Sequence, residues 1–228
     1  MRAPSPLFAA LSLVIASALS ALVQAQPAVT VGIVGWPLNP ADTLHALASD
    51  VESCLAARIR EVAPEVVIVP QRAVRDALFP LLEPATQPRD EASFARMLAR
   101  EDVRARLHAH GLRYLVAFAG GTRKADWEGT ILCGAGAGGG GCLGFMWRGE
   151  KTLLDAALWS IDNGGPVRRE AAKAEGTSVM PAFGLPIPLL AATQTEVCAE
   201  LGARIATAIR ESAAQRAAVP EPPKPERD

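Results

Sequence analysis

The chain changes its punctuation halfway along, and that change limits the folds open to it. Up to residue 119, short apolar runs alternate with stretches of helical period. Val29–Gly35, Val66–Val69 and residues 112–119 are rich in β-branched and apolar residues and read as strands. Between the first two, Leu44, Leu47, Val51, Leu55, Ile59 and Val62 recur on one helical stripe. Asp42 is the expected cap of that helix and Pro64 its stop. Between the second and third, residues 72–82 read as a short helix limited by Pro80. Residues 92–110 read as a longer helical stretch with Phe94, Met97, Leu98, Val103 and Leu107 inward, breaking near Glu101 and ending before Gly111.

The second half reads differently. Residues 127–133, 142–147, 153–161 and 167–174 look like four strands. The separators are a Gly/Ala tract, a turn at Arg148-Gly149-Glu150, and residues 162–165, where Asn163-Gly164 is a strong hairpin signal. Trp127, Trp147 and Trp159 are expected to pack in the core on the sheet. A last helix opens at Thr193 with a capping box to Glu196 and turns Cys198, Leu201, Ile205 and Ile209 inward. The order implies an α/β or α+β fold: a mixed sheet with a β-α-β-α-β start, antiparallel strands after it, and the C-terminal helix packed on the sheet.

The N-terminus carries Arg2, an apolar run over residues 7–23 and Val23-Gln24-Ala25 with small or β-branched residues at the cleavage positions, the pattern of a cleaved secretion signal, with a retained transmembrane anchor as the alternative. The expected division is a signal over 1–25, one globular domain over 26–212 and a disordered Ala/Pro/Glu/Lys-rich tail over 213–228. Export would place the mature chain in the periplasm, with no transmembrane span. The whole chain has 228 residues and a formal charge of −1. Near neutrality, it has neither the electrostatic footprint of a nucleic-acid binder nor a polybasic segment for anionic lipid.

Four cysteines agree with export. Of their three pairings, Cys133–Cys142 and Cys54–Cys198 are favoured, with four free thiols as the alternative. The first pair brackets a tract of Gly and Ala only, residues 134–141. The second joins the apolar sides of two expected helices.

Catalytic patterns are missing. The glycine tract matches G-x-G-x-x-G but precedes an expected strand rather than a helix, so it reads as a flexible disulfide-closed loop and not a nucleotide site. His108 and His110 point to different sides of one helix, and His45 is remote in sequence. There is no H-E-x-x-H, G-x-S-x-G or S-x-x-K. No cofactor or metal is expected. The most unusual segment is 178–192, uncharged and interrupted by Pro181, Pro186 and Pro188. It reads either as a loop over the core or as an exposed contact surface involving Met180, Phe183, Leu185 and Ile187.

Three stretches resemble an uncharacterised group of bacterial envelope proteins: Gly111-Leu112-Arg113-Tyr114-Leu115-Val116, Cys142-Leu143-Gly144-Phe145, and Pro186-Ile187-Pro188 leading into the segment that ends at Cys198. The β-α-β-α-β start looks like the N-terminal-type domain of the translocation protein TolB. That fold is shared by envelope assembly lipoproteins such as the curli secretion protein and the penicillin-binding-protein activator. This chain lacks their lipidation cysteine. The resemblance implies a binding or assembly role and supplies no catalytic residues. The functional expectation is a non-enzymatic periplasmic protein that binds another envelope protein or an outer-membrane component. The alternatives are an envelope hydrolase with a distributed site and a carrier of a small apolar ligand.

Overall fold

The computed structural model describes residues 29–35, 45–136 and 139–218. The secretion signal, the Asp42 cap, the side chains of Leu44, His45 and Leu47, and residues 219–228 of the tail lie outside that set.

Three short strands form the parallel part of the sheet. β1 (Val29–Gly35) lies between β2 (Val66–Val69) and β3 (Tyr114–Lys124), parallel to both. Parallel neighbours need crossovers, and helices supply them. α1 (His45–Val62) joins β1 to β2. α2 (Gln71–Ala77), α3 (Glu91–Ala99) and α4 (Glu101–Ala109) join β2 to β3. Asp90 caps α3: its carboxylate accepts from the Ser93 N–H at 2.7 Å, and the Ser93 hydroxyl accepts from the Asp90 N–H at 3.2 Å. The expected break near Glu101 falls at Arg100, and Gly111 takes φ 75° after α4.

Three antiparallel strands follow: β4 (Glu128–Gly136), β5 (Gly139–Ser160) and β6 (Gly165–Pro186). α5 (Thr193–Ala217) closes the fold. One sheet face is covered by α1 and α5, where Val31, Ile33, Val116 and Leu158 meet Leu55, Ile59, Leu201 and Ile205. The other is covered by α2 to α4, where Leu115 and Trp159 meet Val74, Leu78, Phe94 and Leu107. Cys54 of α1 is bridged to Cys198 of α5, stapling the first and last helices.

The second half departs from its sequence reading in four ways. Residues 142–147 and 153–161 are not two strands; both belong to β5, 22 residues long. Arg148-Gly149-Glu150 is not a turn, because Gly149 keeps a negative φ and both charges are satisfied within the strand. The glycine tract is not a flexible loop: the expected Cys133–Cys142 bridge forms, but the ladder runs on past it to Gly136 opposite Gly139. β6 continues as strand to Pro186, through half of the segment read as a proline-rich loop.

At the C-terminal helix, Ala192 holds the cap position and the Thr193 hydroxyl bonds to Thr152 instead of forming a capping box. α5 also passes the expected limit at residue 212. Ala213 and Ala214 are strong helix formers that carry it to Ala217.

Candidate functional site: an apolar face on a projecting arm

β5 is too long for the body of the sheet. Its C-terminal part, from Glu150, pairs with β3. Its N-terminal part, through Trp147, pairs on the same edge with β4. Residues 125–127 face only Arg148 and Gly149, so β3 passes into β4 through a one-residue bulge. On the other edge β6 follows β5 without a shift from Cys142 to Leu158. The result is a three-stranded arm beyond the helices, about 30 Å long for nine residues at roughly 3.3 Å each. No charged residue occurs over 129–147 or 176–195.

Alternation along β5 sorts the arm into two faces. Leu143, Phe145 and Trp147 point to one side. Their partners join them there: Leu132 and Phe183 beside Leu143, Thr130 and Pro181 beside Phe145, Glu128 and Val179 beside Trp147. These are exposed: Phe183 82%, Leu132 74%, Leu143 67%, Phe145 46% and Trp147 41%. Phe145 and Trp147 rings lie 5.9 Å apart. Toward the body, this face ends in a charged row of Arg123, Lys151 and Glu175. Hydrogen bonds from Lys173 and then Lys151 hold the Glu175 carboxyl below its ordinary range.

The opposite face carries the disulfide near the tip and a polar knot at the base. Glu150 is buried, bonded to Arg148 at 3.0 Å and to the Ser178 hydroxyl at 2.7 Å. The Ser178 oxygen accepts from the Ala191 N–H at 2.9 Å. Arg148 also lies 4.6 Å from the Trp127 ring centroid. Beside it, Thr122, Thr152 and Thr193 hydroxyls form a chain with steps of 2.8 and 2.9 Å. These contacts tie arm, base and α5 N-terminus together, so the apolar face is presented on a fixed support.

Of the four residues expected to form the contact, Phe183, Leu185 and Ile187 are exposed. Met180 is not on the Phe183 face; it pairs with Met146 on the opposite side and is half-buried. Trp147 is not core, because the arm has no helix layer under its outer face; Trp127 is half-buried, and Trp159 is fully buried against Phe94. Leu132, Leu143, Phe145 and Trp147 were missing from the expected site. The signal for the last three was the period-two alternation from Leu143 to Trp147, which fits an exposed apolar face as well as a buried one.

A second concavity, of about 370 Å³, lies on the same side of the sheet nearer the body. Ala117, Ala119, Ala157 and Ala171 floor it, Asp155 projects beside them, and the Glu91–Arg169 ion pair stands at its rim. Among the described residues no three His, Cys, Asp or Glu side chains converge as metal donors, and no helix is long and apolar enough to cross a membrane.

No family model matches the sequence, and no curated protein matches it. Solved structures with a similar chain path exist. A PelC variant dodecamer from Paraburkholderia phytofirmans is 10% identical, with a TM-score of 0.40 over 80% of this chain and 88% of its own. Lipoprotein GNA1162 from Neisseria meningitidis is 10% identical, with a TM-score of 0.39 over 82% and 99%. The LpoB C-terminal domain from Salmonella enterica is 9% identical, with a TM-score of 0.33 over 70% and 91%. At such scores and identities, function has to be argued from this chain's own residues.

Proposed function

We propose that this chain is a non-enzymatic accessory protein of the cell envelope that binds another envelope component through the apolar face of its arm. The observation that carries the reading is Leu132, Leu143, Phe145, Trp147 and Phe183 exposed together where the sheet is free of charge over 129–147 and 176–186. Contiguous exposed apolar patches of this kind mark contact with a protein or a membrane face. Each of these side chains contributes roughly 1.5–3 kcal/mol when removed from water, offset by the costs of association. The two disulfides fit a protein of an oxidising compartment. Quantitative affinity purification from envelope extracts, comparing wild type with a Phe145→Ser, Phe183→Ser double variant, tests the reading. Components held by the wild type and lost by an equally stable variant are expected. Identical recoveries from both would overturn it.

The alanine-floored groove favours a second reading, carriage of a small apolar ligand. Its volume falls in the range of ligand sites. Ala157→Trp would fill the groove, and displacement of an apolar fluorescent probe by ligand extracts should disappear with it. Probe binding unaffected by that substitution would remove this reading.

A further inference from the structure

The two long edges of the arm are not equivalent. Cys133 and Cys142 face each other in the ladder with Cα atoms 4.0 Å apart. So short a separation belongs to the non-hydrogen-bonded pairs of an antiparallel ladder. The alternation then turns the backbone N–H and C=O groups of Gly129, Ile131, Cys133 and Ala135 away from β5. Carried across β5, the same phase leaves the groups of Val179, Pro181 and Phe183 pointing outward from β6. There the chain closes its own edge. Val179 and Leu189 exchange both backbone bonds at 2.9 and 2.7 Å, and the Pro181 carbonyl accepts from the Ile187 N–H at 3.0 Å. Pro181 has no N–H to leave unpaired.

The β4 edge has no such cover among the described residues. From Gly129 to Gly136 it contains neither proline nor charge. Those are the devices that keep an open edge from pairing.

We propose that a second copy of this chain pairs with the β4 edge, antiparallel about a two-fold axis, merging two arms into one six-stranded sheet. A two-fold contact requires the edge to accept itself. It does so with all four outward residues paired in one register. Ile131 meets the partner's Cys133, Gly129 meets the partner's Ala135, and every outward donor faces an outward acceptor. Glu128 then lies across from the partner's Gly136, so no like charges oppose. The two Leu132 side chains come side by side, and the two apolar faces become continuous. The pairing uses backbone at the edge and does not depend on what the face binds.

The test is native mass spectrometry and light scattering of the purified, disulfide-intact protein, with Ala135→Pro beside the wild type. The substitution removes one outward N–H and leaves the bonds between β4 and β5 in place. A wild-type dimer is expected, with Ala135→Pro monomeric and its unfolding transition unchanged. Amide exchange on the wild type gives an independent readout: Ile131, Cys133 and Ala135 should be protected in the dimer. A monomeric wild type overturns the proposal, even with those amides protected, since the chain would then cover its own edge. A dimer in which they exchange freely also overturns it. So does a dimer kept by Ala135→Pro but lost with Phe183→Ser, which would place the contact on the face.

Discussion

At Gly144 the arm's central strand β5 and its edge strand β4 come too close for any side chain. Its φ is 150°, and a Cβ there would press on the Thr130 carbonyl and the Ile131 Cα. Gly120 makes the same approach to Leu153 and Leu154 in the body. Gly144→Ala therefore forces β4 away from β5 where the apolar face begins. A destabilisation of roughly 1–3 kcal/mol is expected, read by denaturant unfolding. An unchanged midpoint would mean that the arm absorbs the shift. Asp90 makes a different single-residue contribution. The hydrogen bond from the Ser93 N–H, then that from its side chain, lowers the carboxyl from its ordinary value of 3.8. A group lowered in the folded state adds stability above its unfolded pKa and loses it as pH falls through the folded one. Asp90→Ala should thus lower Tm at neutral pH, and the deficit should shrink below about pH 4. A deficit independent of pH would argue against the carboxylate cap.

Among the elements, those whose residues meet a core on one side were legible. The stripe Val51, Leu55 and Ile59 gives α1, and the apolar runs give β1 and β2. The arm was not. Gly149 between two charges has the composition of a turn, yet Arg148 and Glu150 satisfy each other with Ser178, so the strand continues. Three prolines argue for a loop over 178–192. Pro181, however, sits where its missing N–H would have pointed off the ladder. The sequence favoured these two bridges among three pairings, and they differ in reach. Cys54–Cys198 spans 144 residues and Cys133–Cys142 spans nine. Chain entropy assigns them about 5 and about 3 kcal/mol. Double Ser variants of each pair, unfolded in urea, should show the larger loss for the pair that joins α1 to α5. The reverse order would mean that the short bridge organises more than the arm.

As a whole molecule, the protein is a sheet between two helical layers, with β4 and the parts of β5 and β6 that flank it left outside them. The sequence made the helical layers legible because a stripe of period 3.6 implies a surface to cover. It could not separate Trp159, buried against Phe94, from Trp147, exposed on the arm: both lie on strands with apolar residues at alternate positions. That distinction depends on how far α2 to α4 extend over the sheet, which no local pattern encodes. In the proposed function the arm's outer face, and not the body, makes the contact. In-cell photocrosslinking from positions 143 and 183, with exposed Phe79 on the body as control, tests it most directly. Discrete adducts from 143 and 183, with none from 79, are the predicted result. No adducts from the arm positions, or the same adducts from position 79, would contradict it.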